Sequence, residues 1–144
     1  MIIFFLSTQS LLDALSGAGN TYNWLSQVTM QQVEISAVSI GQALDTIQQN
    51  TNGAVRRNFE QQLERLVVVV RSSQGVIPFD EAAAKIWADL QARTLQYKQS
   101  NGVMTELSSA SRMVVATALR RGATFVESSQ PYHAAISGLT VVSP

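Results

Sequence analysis

The chain opens with an unbroken apolar run, Ile2-Ile3-Phe4-Phe5-Leu6, that stops abruptly at Ser7-Thr8-Gln9-Ser10. A short run without polar alternation predicts a strand buried on both faces, here opening into a helix start. Leu11, Leu12 and Leu15 recur at helical spacing until Gly17 and Gly19, which end this first helix. A second short helix is predicted from Thr21 to Val28, carrying Trp24 and Leu25. Val33, Ile35 and Val38 lie in or beside a second strand, and Ile40, Leu44 and Ile47 form the buried stripe of a third helix. Asn50 to Gly53 is the next turn.

From Ala54 to Arg71, the residues Phe59, Leu63, Leu66, Val67 and Val70 share one helical face, so an amphipathic helix is favoured. Val67 to Val70 are four β-branched residues with poor helix propensity, and strand is the competing reading there. Val76 to Phe79 predicts a short strand. Asp80 follows as an N-cap for a long helix reaching Gln99, with Glu81 in its first turn. After the turn Ser100-Asn101-Gly102, another helix contains Met113, Val114, Ala116, Thr117 and Leu119. It ends at Arg120-Arg121-Gly122, with cations on its negative pole and glycine past its end. Thr124–Val126 and Thr140–Val142 are brief final strands. Apolar strands alternating with helices predict an α/β fold: a three-layer α/β/α arrangement around a mostly parallel sheet, as one domain over residues 1–144.

Composition narrows the function classes. Apolar residues make up 46% of the chain and charged ones 14%, which excludes a disordered chain. Ten basic and ten acidic side chains cancel, so no global field would hold a polyanion. Cysteine is absent, which removes disulfides and thiolate chemistry and agrees with a reducing cytoplasm. The N-terminal apolar run lacks a basic segment before it and is short for a signal peptide, and no later stretch reaches membrane-spanning length.

Four blocks in this order resemble the PIN-domain family, specifically the VapC-type toxins of bacterial toxin–antitoxin pairs. Ser7-Thr8-Gln9-Ser10-Leu11-Leu12-Asp13 is similar to the family's opening Asp-Thr-Asn-Val-Leu-Leu-Asp. Ile35-Ser36-Ala37-Val38-Ser39-Ile40-Gly41-Gln42 resembles Ile-Ser-Ala-Val-Thr-Ile-Gly-Glu, and Ile77-Pro78-Phe79-Asp80-Glu81-Ala82-Ala83-Ala84 resembles Leu-Pro-Phe-Asp-Glu-Ala-Ala-Ala. Ser111-Arg112-Met113-Val114-Val115-Ala116-Thr117-Ala118-Leu119 is similar to Asp-Ala-Leu-Ile-Ala-Ala-Thr-Ala-Leu, followed by Gly122-Ala123-Thr124-Phe125-Val126 for the last core strand.

The resemblance implies a ribonuclease fold whose acids gather at the carboxyl ends of strands to hold Mg²⁺ or Mn²⁺ and a hydrolytic water. The departures fall on those acids. The family's first Asp matches Ser7, its helix Glu matches Gln42 and its next Asp matches Ser111; the polar positions after the last core strand fall near Ser129 and Tyr132. Mg²⁺ is a hard ion that dehydrates reluctantly and needs carboxylates, which Ser and Gln do not supply. Each lost acid forfeits several kcal/mol of attraction at a partly buried site. Without the ion, no evident group lowers the pKa of an attacking water.

Other residues are weighed as substitutes. Glu127 directly follows the last core strand and is the candidate residual acid, with a solvated loop carboxylate as the plainer reading. Asp13 lies further along its helix than Ser7, and Asp80 has an N-cap role. His133 is the sole histidine, so neither zinc nor a Ser–His–acid triad is supported, and a surface or loop histidine is the simple reading. Ser7, Ser111 and Ser129 lack a base or oxyanion motif in the sequence. Arg56, Arg57, Arg65 and Arg71 read as a solvated face more than an RNA track, because no aromatic residues are interleaved with them. Trp87 suits burial, whereas Trp24 with Leu25 suits either core or a partner groove.

The reading that follows is a degenerate PIN domain without metal-dependent ribonuclease activity, retaining homodimer or antitoxin-type partner binding in the cytoplasm. No cofactor is expected. The alternative is a Mg²⁺- or Mn²⁺-dependent ribonuclease with a rearranged acidic site, and the second alternative is a non-cleaving RNA-binding module.

Overall fold

Strand β1 (Phe4–Leu6) occupies the centre of a five-stranded sheet in which every pairing is parallel. It is flanked by β2 (Val33–Ser36) and β6 (Thr124–Val126), with β3 (Val76–Ile77) and β7 (Val141–Val142) at the edges, giving the order β3-β2-β1-β6-β7. The computed structural model describes residues 1–17, 19–73 and 75–144. Between the strands lie α1 (Thr8–Leu15), α2 (Gly19–Leu25), α3 (Ala37–Gln48), α4 (Gly53–Arg71), α5 (Glu81–Gln91), α6 (Ser109–Arg121) and α7 (Pro131–Ala135). A separate antiparallel hairpin pairs β4 (Gln96–Lys98) with β5 (Met104–Glu106).

The alternation of side chains along a strand divides the interior into two cores, one on each sheet face. Phe5 and Phe125 enter one core with Leu90, Val115 and Tyr132, beneath α5, α6 and α7. Their neighbours Leu6 and Val126 enter the other with Leu11, Ile47, Leu63 and Val67, beneath α1, α3 and α4. This is the sandwich of helices around a parallel sheet that the apolar strand runs predicted. Val33 and Ile35 share the second core, so Glu34 between them points to the opposite face. It is only 1% exposed and accepts a hydrogen bond from Nε of Arg121 at 2.9 Å. That contact ties β2 to the last turn of α6.

Most predicted elements appear, with shifts at their ends. Val67–Val70 is helical: Val67 and Val70 are buried under α4 while Val68 and Val69 face out, so burial of one face outweighs weak propensity. Asp80 caps α5, its Oδ1 accepting the Ala83 N–H at 2.8 Å. Val38 belongs to α3 rather than to a strand, because Ser36 already caps that helix by accepting from the Val38 N–H.

The largest correction concerns α5, which stops at Gln91 instead of reaching Gln99. Gln96–Lys98 turns back through Asn101-Gly102, with Gly102 at φ +85°, to pair with Met104–Glu106. Arg112 enforces the break. It is 4% exposed and donates from Nη1 to the carbonyls of Leu90 and Arg93, from Nε to the carbonyl of Leu107, and from Nη2 to Glu106 at 2.7 Å. One guanidinium thereby satisfies the end of α5, the exit from the hairpin and a hairpin carboxylate.

Replacing Arg112 by Ala takes the side-chain donor from the Arg93 and Leu107 carbonyls and breaks the ion pair with Glu106, while the Leu90 carbonyl keeps the Arg93 N–H and Glu106 keeps the Leu95 N–H. The expected loss is roughly 2–4 kcal/mol, from two carbonyls left without a donor at about 1–3 kcal/mol each, the half-exposed Glu106 adding little. Urea unfolding would show it as a lower midpoint; a loss under ~1 kcal/mol would remove Arg112 from this role.

Candidate functional site

Parallel α/β sheets bind ligands beyond the carboxyl ends of their strands, where the strand order switches direction. In this chain that place lies between β1 and β6. Leu6 is in register with Val126, and the Ser7 N–H donates to the Val126 carbonyl at 3.1 Å. Ser7 and Glu127 are therefore the first residues past two adjacent strand ends. A cleft of about 420 Å³ opens there, and its walls include Ser7, Gln42, Ser111, Glu127 and Tyr132. The structure thus gathers four of the five positions aligned with the family's acids, plus the candidate residual acid. Ser129, the fifth, is exposed and does not line the cleft.

Ser7, Gln42 and Ser111 are tied into hydrogen bonds with neutral neighbours. Buried Ser7 caps α1, its Oγ accepting the Ser10 N–H at 3.0 Å. Gln42 Oε1 accepts from Thr8 Oγ1 at 2.5 Å, and Thr8 Oγ1 also lies 3.0 Å from Ser39 Oγ. Ser111 pairs with Ser108, the N-cap of α6, through Oγ–Oγ and N–H to Oγ contacts at 2.9 and 3.1 Å.

Glu127 departs most from its sequence reading. It is 6% exposed rather than solvated. Its Oε1 accepts from the Tyr132 hydroxyl in a short hydrogen bond and from His133 Nε2 at 2.8 Å. His133, read from sequence as a surface or loop histidine, is likewise drawn inside. The Gln130 N–H donates to its Nδ1 at 3.2 Å, which places the ring proton on Nε2, facing the carboxylate. Burial, the negative charge of Glu127 and the hydrogen bond to it together push the Tyr132 phenol far above its ordinary value. Burial, followed by the charges of Glu127 and Asp13, also raises Tyr97.

The roof of the cleft is the β4–β5 hairpin, whose Tyr97, Gln99, Thr105 and Glu106 complete the lining. Gln130 holds it down. Its Oε1 accepts the Lys98 N–H at 2.7 Å, and its Nε2 donates to the Lys98 carbonyl at 3.0 Å. The sequence reading missed this roof and Gln130. A short Gln-Tyr-Lys/Met-Thr-Glu pairing around Asn-Gly is a weak hairpin signal beside a strong helical stretch.

The donor set is poor in charge for a hard divalent ion. Glu106, the other acid in the lining, is bound to Arg112. Among the described residues no group of three or more His, Asp or Glu side chains is placed to hold a metal. Glu127 is left as the one carboxylate of the lining not paired to a cation, at the low end of what Mg²⁺ takes from protein and without the cluster of acids that the resemblance implies.

A second concavity, about 380 Å³ and largely apolar, lies between α1, α2 and α4. Leu25 lines it with Leu15, Tyr22, Leu66 and Val69. Trp24 does not; it packs edge-on against Phe4 with centroids 5.0 Å apart, a core role.

The unfolded chain releases the tyrosine proton from pH 10.0 upward while folded Tyr132 keeps its own. The stabilising contribution is full below that pH and declines as pH rises beyond it. Thermal melts across this alkaline range should fall less steeply for Tyr132→Phe than for the parent; equal slopes would exclude Tyr132 as a source.

No protein-family model and no curated protein sequence matches this chain. Solved structures do. A chain of the FitAcB crystal structure from Neisseria gonorrhoeae matches with TM-score 0.73 and 22% identity over 96% of both chains. A chain of VapBC2 from Rickettsia felis, bound to a promoter DNA fragment, matches with TM-score 0.75 and 14% identity over 99% of both. DNA-bound VapBC from Salmonella typhimurium gives TM-score 0.75 and 17% identity over 99% of this chain and 98% of the other. The chain has the VapC-type PIN fold of these toxin–antitoxin structures.

Proposed function

We propose that the chain is a VapC-like PIN protein that has given up metal-dependent RNA cleavage and acts in the cytoplasm by binding partners: a second copy of itself and an antitoxin-type segment. The observation that carries this reading is the composition of the cleft between β1 and β6. Ser7, Gln42 and Ser111 are neutral and hydrogen-bonded to neighbours, and Glu127 is engaged by Tyr132 and His133. Hydrolysis by the family route needs an ion that polarises phosphate and activates water. Here such an ion would meet one carboxylate free of a cation, Glu127, in place of the several acids that the resemblance implies.

The partner half of the reading draws on the apolar groove between α1, α2 and α4. Solved structures that share this fold include toxin–antitoxin complexes. An amphipathic segment laid into such a groove gains affinity from a few apolar anchors, and Leu25 and Leu66 line it.

Incubation with RNA and millimolar Mn²⁺ should yield no metal-dependent cleavage, and calorimetry should detect no Mn²⁺ binding. The triple variant Ser7→Asp, Gln42→Glu, Ser111→Asp should gain Mn²⁺ binding; Asp at position 7 can still cap α1. Saturable Mn²⁺-dependent cleavage by the parent chain would favour the rearranged ribonuclease. Salt-sensitive RNA retention indifferent to metal would favour the RNA-binding module.

Sedimentation should find a dimer, and co-purification with the product of the adjacent gene should find a complex. Leu25→Asp should weaken that complex at least about tenfold by placing a charge in the groove. A monomer with no such complex would overturn the partner half of the reading.

A further inference from the structure

The cleft between β1 and β6 has an unbalanced charge. Its lining contains no Lys, Arg or His, and Arg112 already neutralises Glu106. Glu127 has neutral donors on Oε1, the phenol of Tyr132 and the Nε2–H of His133, while its Oε2 has no hydrogen-bond partner among the described residues. A carboxylate that is 94% removed from solvent, by its 6% exposure, is thus oriented on one oxygen and open on the other. Burial without a cation nearby is costly, and an incoming positive charge would recover that cost.

We propose that this cleft binds a small organic ammonium ion, with Glu127 as its counter-charge. An ammonium group carries three donors. Glu127 accepts one, and the Ser7, Ser111 and Gln42 oxygens retain lone pairs for the others. The carbon stem is accommodated by Val114, Phe125 and Leu107, which form the apolar part of the same wall. Other ligand classes fit less well. Phosphate and carboxylate ligands would meet Glu127 with no cation to offset it. A divalent metal would find a single carboxylate not already paired, and a neutral alcohol leaves the buried charge uncompensated. Ammonium binding here draws on the charge and shape of the cleft and is independent of partner binding in the groove between α1, α2 and α4.

Titration of the full ¹⁵N-labelled chain with n-butylammonium chloride, and separately with n-butanol, tests it directly. The two probes share shape and differ in charge. Butylammonium should produce saturable shifts at the amides of Ser7, Ser111 and Glu127, binding at least about tenfold more tightly than butanol. Glu127→Gln, whose amide oxygen can still accept from Tyr132, should reduce butylammonium to the butanol level. Equal binding of the two probes, or shifts mapping outside the cleft, would overturn the proposal. If Glu127→Gln does not fold, the comparison of probes on the parent chain decides alone.

Discussion

The pairing of β1 with β6 is the constraint on which the site depends. Parallel strands are joined by crossovers, so residues far apart in sequence reach adjacent strand ends only when register is fixed. Leu6 opposite Val126 fixes it, and the Ser7 N–H and the Ser10 hydroxyl both donate to the Val126 carbonyl. The same register sends Phe5 and Phe125 into one core and Leu6 and Val126 into the other. A slip of one residue would bring Ser7 and Glu127 out of alignment and invert both cores. Packing and site geometry are therefore specified by one ladder.

The layout of the fold was legible wherever a periodic apolar signal was long or doubly buried. The run ending at Leu6 and the α4 stripe are examples, and the Asp80 cap was readable because its hydrogen bond is local. What escaped the sequence were interactions that close over distance. Arg112 ends α5 through carbonyls 19 and 22 residues away, so no window around Gln91 contains the cause of the break. Ser7, Gln42 and Ser111 could be placed at the site by resemblance. The surroundings of Glu127 could not, because burial depends on α7 folding back and on the hairpin roof. His133 looked idle for the same reason: its partners, Glu127 and Gln130, acquire meaning once a five-residue helix turns the ring inward.

Replacing clustered acids with neutral side chains changes stability as well as chemistry. Like charges held together in a partly buried cleft repel, and that strain is tolerated in enzymes because an ion or substrate relieves it. Ser7 capping α1, Gln42 bound to Thr8 and Ser111 bound to Ser108 convert such positions into ordinary supports of helix starts and helix contacts. Glu127 is held by a phenol and an imidazole, partners suited to accommodating one negative charge.

The clasp between Gln130 and Lys98 bears on how this surface can diversify. Gln130 grips the main-chain N–H and carbonyl of residue 98 and makes no use of its side chain. Any amino acid with a backbone N–H, which excludes only proline, consequently keeps the hairpin anchored there, and the flanking positions 97, 99 and 105 supply the surface turned to the cleft. The roof behaves as an exchangeable panel on a fixed mount: substitutions can rewrite what the cleft admits while the frame that carries it stays the same.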